Sequence, residues 1–560
     1  MPGCRFNRLS FLALALSACL TSTSRAEDGA SFDWTGFYIG THTGGGLGMA
    51  DVGTPYGPAI FGDNVHAPGL LLGGQAGYNW QFGSTVLGLE ADASWADMDG
   101  TNTCFAYSPF FISANCRTHI DALGTFTGRA GWALPFDTRT LLFGEAGLAW
   151  AHTEIDATAN DQFGSPTTRS QGVRWGWTLG AGAERAVSSR WSLRAEYDFL
   201  SFSGQDFASP ASGIQTVPSP SPTLANAASR STHVDQHLHL FKLGMNYRFS
   251  DGDGDDHDDF VSALMPTKLP RAPRRTRVTA GVRYVHGWGQ FHKDLGIQNS
   301  GVTSLASRLT YDDLSTDGAE VYARLDAPFG LMLKGVVGAG AGDGDLNDED
   351  WGLPSPPFAA FVPYSNTLSS VDQTIRYGIV DVGYDWWQGP DHRVAPFVGY
   401  SYFQQDMKAF GCAQISNPNS DCVPPISTSI LGITEYDKWQ AMRLGVAADF
   451  DLAPRITLNA EAAYLPYVHF SGTDDHVLRS LLSPEEGHGI GMQLEAMLRL
   501  ALSDAWSVGV GGRYWSMWTN DGTINFGGSG TIIPIRFAAE QAHLLVEGSY
   551  RLDWDAAPLP

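Results

Sequence analysis

The sequence predicts an all-β protein of two tandem transmembrane antiparallel β-barrels, about eight strands and then about ten. Three observations predict it. Apolar and polar residues alternate along many segments, short connections alternate with long ones, and large aromatics gather at segment ends behind an export signal. Trp191-Ser-Leu193-Arg-Ala195-Glu-Tyr197-Asp-Phe199 shows the period of two plainly, with Arg194, Glu196 and Asp198 on its polar face. A soluble sandwich would alternate too. It would not explain the signal together with Trp80, Trp95, Trp175 and Trp177 at strand ends. A closed barrel also pairs every backbone group in lipid, as an open sheet cannot.

The net charge of −24 would repel phosphates, which argues against nucleic acid as a partner. Residues 1–26 read as a signal peptide: Arg5 and Arg8 form the charged region, Phe11 to Leu20 the apolar core, and Ser24-Arg25-Ala26 the cleavage site. Leu16-Ser17-Ala18-Cys19 also has the form of a lipoprotein box, whose use would make Cys19 the acylated first residue. No run of 18 apolar residues follows, so no transmembrane helix is expected. The cysteines of the mature chain fall into two local pairs in loop-like stretches, Cys104/Cys116 and Cys412/Cys422. In an exported protein these predict two loop-stapling disulfides.

In the first half, strands are predicted near 34–43, 70–83, 85–97, 122–135, 139–152, 173–186, 190–202 and 236–249. Short links such as 136–138 alternate with long ones such as 98–121 and 203–235. Three stretches then carry a likeness: Trp34-Thr-Gly-Phe-Tyr-Ile-Gly40, Gly73-Gly-Gln-Ala-Gly-Tyr-Asn-Trp80 and Met245-Asn-Tyr-Arg-Phe249. Through them residues 27–250 resemble the small eight-stranded outer-membrane immunogenic proteins. The resemblance implies a surface barrel with no catalytic residues, and a terminal Phe249 of the kind presented to the barrel-assembly machinery.

Residues 251–276 read as an acidic, then Pro- and Arg-bearing, linker. An EF-hand fails there, because Asp256 stands where Gly is needed and Ser262 where Glu is needed. An even-stranded barrel returns its chain to the starting side, so the linker is expected to be periplasmic. Residues 277–553 resume the alternation in ten longer segments: about 277–291, 304–327, 330–343, 371–388, 392–409, 434–450, 455–472, 488–503, 505–519 and 540–552. A tail, 554–560, follows. Segment 304–327 exceeds the roughly 9–11 tilted residues a crossing needs, so strands should stand clear of the bilayer. Its Arg308, Asp312, Glu320, Arg324 and Asp326 are expected to pair in the lumen or coat that extension.

Two acidic motifs sit where alternating segments run out into polar loops. Asp348 and Asp350 follow the third strand of this barrel, Asp474 and His476 the seventh. Residues i and i+2 of a strand share a side, so each pair faces one point. Counting from a periplasmic start, odd strands end outside, and the third and seventh of ten stand on roughly opposite walls. Both pairs are thus expected at the extracellular mouth. Asp474 can orient His476 and stabilise its protonated form, and His476 is the candidate general base for a water. Asp348 and Asp350 cannot both ionise cheaply at close range, so one should have a raised pKa. No Ser or Cys nucleophile fits the cleft, which leaves direct water attack.

Ser307-Arg-Leu-Thr-Tyr311, Gly344-Asp-Leu-Asn-Asp-Glu-Asp-Trp351 and Ser471-Gly-Thr-Asp-Asp-His476 make the second half resemble the omptin family of outer-membrane proteases. The resemblance implies that Asp348, Asp350, Asp474 and His476 are catalytic and hydrolyse a polypeptide substrate. It also implies lipopolysaccharide as an activating lipid, with no cofactor or metal. It implies cleavage beside basic residues through two acidic groups, but those positions fall on Gly472 and near Gln290, neither a carboxylate. D-x-D recurs at Asp343/Asp345, so either motif alone is weak and their joint placement carries the weight. The reading from another class is a structural or adhesive surface protein. A diffusion pore is weakened because so few strands leave little open lumen.

Overall fold

The computed structural model describes residues 32–249 and 275–555 apart from connecting residues at 58, 108–111, 135–136, 160–166, 216–223, 228, 300–301, 352–363, 389–391 and 417–420. The predicted signal peptide, the Cys19 box and all but the last two linker residues lie outside the described residues.

Two barrels follow one another. The first comprises β1 (Gly36–Val52), β2 (Asn64–Phe82), β3 (Thr85–Tyr107), β4 (Ile112–Leu134), β5 (Asp137–Ala159), β6 (Thr167–Ala186) and β7 (Trp191–Ala208). A small hairpin, β8 (Ser212–Gln215) and β9 (Leu224–Ala227), precedes β10 (Ser231–Phe249), which pairs with both β7 and β1 and closes the ring. The second comprises β11 (Arg275–Asn299), β12 (Val302–Asp326), β13 (Leu331–Trp351), β14 (Tyr364–Tyr384), the two-residue β15 (Trp387–Gln388), β16 (His392–Gln414), β17 (Ile426–Ala453), β18 (Ile456–His476), β19 (Leu481–Ala501), β20 (Trp506–Phe526) and β21 (Thr531–Asp555). Its ten long strands close through β11–β21 and β14–β16.

The strands run longer than the sequence predicts. Within the stretch 98–121, expected to be a loop, residues 98–107 continue β3 and 112–121 continue β4, and Trp554 and Asp555, expected in the tail, belong to β21. Period-two alternation fades above the lipid, where both faces of a strand meet polar surroundings, so sequence pattern alone ends the strand early. Both disulfides form as paired in the sequence. Cys104–Cys116 bridges the strands β3 and β4 rather than a loop, and Cys412–Cys422 joins the end of β16 to the stretch before β17.

The outer wall of the second barrel exposes Val282, Val321, Leu333, Val337, Val380, Val510 and Val546. Exposed Tyr384, Trp506 and Trp554 lie toward the rim of short turns, and Trp288, Tyr400 and Tyr467 toward the opposite rim. This is the apolar band between aromatic girdles that lipid requires. Trp80, Trp95, Trp175 and Trp177 are likewise exposed on the first barrel.

Inside, paired charged side chains cross both lumens. In the first, Arg194 meets Glu90 at 2.6 Å, Arg129 meets Glu184 at 2.9 Å and Lys242 meets Asp198 at 2.9 Å. In the second, Glu320 receives Arg283 and Arg513, each at 2.6 Å, and Arg513 also holds Glu495 at 2.7 Å. Above that layer, Phe291, Tyr311, Trp439, Phe470 and Phe537 form an aromatic plug. Glu320, Arg324 and Asp326 pair in the lumen as predicted, whereas Arg308 points outward and meets the first barrel. The register shift between Asp312 and Asp317 inverts the alternation between them, with Asp313 at φ 49°.

Candidate functional site

Asp348, Asp350, Asp474 and His476 all remain within strands. β13 carries the first pair and stays paired with β12 through Asp350 and with β14 through Trp351; β18 carries the second and stays paired with β17 and β19 through His476. The motifs are therefore strand-borne, not loop-borne, and the i, i+2 geometry holds literally. β13 and β18 end at the same rim, opposite the one where the barrel begins at β11 and ends at β21. They stand four places apart one way around the ring (β13, β14, β16, β17, β18), so the pairs face each other across the mouth.

His476 Nε2 lies 3.3 Å from Asp474 Oδ1. That is long for a charge-assisted hydrogen bond, so the pairing is electrostatic more than directional. The other Asp474 oxygen, Oδ2, accepts from Lys293 Nζ at 2.7 Å. Across the mouth, Ser307 on β12 stands opposite Asp350 and donates to its carboxylate. Arg479, on the 3-10 turn Val477–Arg479 just after His476, is bound to Asp421 and lies in electrostatic range of both Asp348 and Asp350.

Burial pushes the Asp348 carboxyl up to about 7, the like charge of Asp350 adds to this, and His476 and Arg479 oppose it. Burial also raises Asp350, against the Ser307 hydrogen bond. For His476, burial disfavours the imidazolium, but the carboxylates of Asp474 and then Asp348 outweigh it and the net shift is upward. Burial works against ionised Asp474 as well, and Lys293 and His476 overcome it, holding that carboxyl well below its usual range. The two halves of the site thus sense one another. One half stays ionised and the other keeps a proton near neutrality.

Beneath the Asp474/His476 pair lies a group the motifs did not reveal. Lys293 on β11 reaches Glu435 on β17 and, at 3.1 Å, Glu485 on β19. Asp437 joins them: a Cβ placed on Gly472 would meet Asp437 Oδ1 at 2.7 Å and Glu485 Oε2 at 3.2 Å. Carboxylates from the neighbouring strands therefore fill the space before Gly472, where the sequence offers none. Burial, then the crowding of like charges, holds Glu435 and Asp437 well above the ordinary carboxylate range. Gln290 is placed away from this group, opposite Glu540 and near Asp312. The sequence signal for the cluster is register: Glu435 pairs with Asp474, and both Asp437 and Glu485 pair with Gly472.

Two sets of side chains have cation-ligand chemistry near this end of the barrel. Glu435, Asp437 and Glu485 bring oxygens within 4.8 Å of one another, with the Lys293 ammonium already against them. His469, Glu486 and His488 do the same on the outer wall.

Residues 11–249 match the outer membrane protein beta-barrel domain family, and residues 364–526 match the Protochlamydia outer membrane protein family. Over 228 residues, 39% of this chain and 85% of theirs, the chain is 28% identical to 31 kDa outer-membrane immunogenic proteins of Brucella melitensis and Brucella suis. It is 29% identical over 177 residues, 31% of this chain and 67% of the relative, to a 22 kDa outer membrane protein of Rhizobium leguminosarum. Among solved structures, the outer membrane protease OmpT from Escherichia coli is matched at 12% identity and a TM-score of 0.41. That match covers 51% of this chain and 99% of that one. The outer membrane protein OprG from Pseudomonas aeruginosa is matched at 14% identity and a TM-score of 0.25, covering 38% of this chain and 96% of that one. The matched sequences and the two closed barrels make this chain an outer-membrane β-barrel protein of the Gram-negative type.

Proposed function

We propose that the second barrel is an endopeptidase that hydrolyses peptide bonds at the extracellular mouth. What supports this above all is the coupling of Asp348 and Asp350 to Asp474 and His476 across one barrel rim, over a closed lumen. In the reaction, a water between the pairs loses a proton to neutral His476 as its oxygen attacks the scissile carbonyl carbon. Asp474 stabilises the resulting imidazolium. The aspartate that kept its proton delivers it to the departing amine as the carbon–nitrogen bond breaks. The Glu435, Asp437 and Glu485 cluster holds the Lys293 ammonium beneath Asp474, and Lys293 in turn keeps that carboxylate ionised.

The test is a peptide library incubated with refolded full-length protein and lipopolysaccharide. Cleavage is expected, and Asp350→Asn or His476→Ala should abolish it while heat-modifiable mobility persists. A wild-type protein that cleaves nothing ends the proteolytic reading. A structural or adhesive role would then stand, favoured by a first barrel whose relatives are named as immunogenic outer-membrane proteins.

A further inference from the structure

Directly behind the candidate aspartates, on the outer wall of the second barrel, a buried polar cluster joins the two barrels. Arg308 on β12 and Glu349 on β13 are fully buried. Arg308 grips Asp294 in two parallel bonds, Nε to Oδ1 at 2.6 Å and Nη2 to Oδ2 at 2.8 Å. Its remaining reach is into the first barrel: Nη1 donates to Thr103 Oγ1 at 3.0 Å and Nη2 to Asn115 Oδ1 at 2.7 Å. Thr103 passes the bond on, donating to Glu349 Oε2 at 2.5 Å, while Tyr364 donates to the other oxygen at 2.6 Å. One hydroxyl from the first barrel thereby bridges a cation and a carboxylate of the second.

The hairpin that presents these groups is stapled. Thr103 and Asn115 stand opposite one another on β3 and β4, and each immediately precedes a half of the Cys104–Cys116 disulfide. The same two backbones that carry Arg308 and Glu349 outward carry the candidate site inward. Ser307 and Leu309 flank Arg308, and they pair with Asp350 and Asp348, which flank Glu349. Groups behind a reacting centre hold it in register, and a misplacement of about 1 Å can cost about 100-fold in rate.

We propose that the first barrel braces the second. Its disulfide-stapled β3–β4 hairpin grips Arg308 and Glu349 from outside, and so sets where Asp348 and Asp350 stand. Arg308, Glu349, Thr103 and Asn115 are positioning residues. The positioning half rests on the proteolytic reading; the docking half does not.

Docking is tested alone in outer-membrane vesicles with full-length protein carrying His66→Cys and Glu540→Cys, since those two side chains approach to 3.5 Å across the seam. A short bis-maleimide, which spans the gap left by the two shorter side chains, should link most of the population, read by mass spectrometry of the digest, and Arg308→Ala should lower the linked fraction severalfold. No link in protein that keeps its heat-modifiable mobility overturns the docking. Positioning is tested with Thr103→Val combined with Asn115→Leu: kcat should fall about tenfold or more with KM within about twofold. Thr103→Ser should keep the wild-type rate, because the hydroxyl alone makes the bridge. An unchanged kcat in the Val/Leu variant overturns the brace. A wild-type protein that cleaves nothing overturns the positioning half with the proteolytic reading, and the cysteine link still decides the docking.

Discussion

His476 and Asp348 place opposite demands on the solution. His476 accepts a proton only when neutral, and its upward shift puts the rising limb of activity above the usual imidazole value of 6.5. Asp348 donates only while protonated, so activity should fall again as pH passes its value of about 7. The expected pH profile of kcat/KM is a narrow bell near neutrality; a plateau from pH 6 to 9 would remove the acid from the mechanism. Asp474→Asn takes away the carboxylate that raises His476. The rising limb should then move to lower pH while the rate drops about 100-fold. The three residues in these predictions, and Asp350 with them, could be read from the sequence as shared-face pairs because a strand fixes which neighbours share a face. Lys293, Glu435, Asp437 and Glu485 were not. Their meeting depends on the register of β11, β17 and β19, which no local pattern encodes.

At the level of the element, what matters is where each strand leaves the lipid. Val337 and Asp343 both point outward from β13, the first strongly exposed within the apolar band and the second nearer the site rim. Val337→Arg should cost about 2–4 kcal/mol, and Asp343→Arg less than about 1 kcal/mol. Urea titration of refolding into lipid vesicles measures both, and equal costs would put the membrane band elsewhere. Strand existence was readable from the alternation, but strand ends were not. Above the membrane the outward face of a strand turns polar, as at Asp343, Asp345 and Glu349, and pattern no longer separates strand from loop. The irregular stretch between Asp312 and Asp317 had no signal in the pattern at all, and it decides that Arg308 faces the other barrel.

For the whole molecule, the layers of side chains that cross each lumen stand against a wide channel. The Arg283, Glu320, Arg513 and Glu495 layer and the aromatic plug above it separate the site from a cavity of about 440 Å³ on the short-turn side, lined in part by Arg324, Arg393 and Asp449. Planar bilayers holding the purified protein should show no stepwise porin-like conductance; regular open-channel steps would restore the pore reading. By itself the sequence determined two barrels, their strand counts, both disulfide pairs and the two acidic motifs, because each is written in spacing along one chain. Tertiary structure alone decided that Asp348 comes within electrostatic reach of His476, that carboxylates from other strands fill the space before Gly472, and that the barrels meet at Arg308. Those are relations between strands far apart in the chain, and they exist only once ring closure and register have set which residues become neighbours.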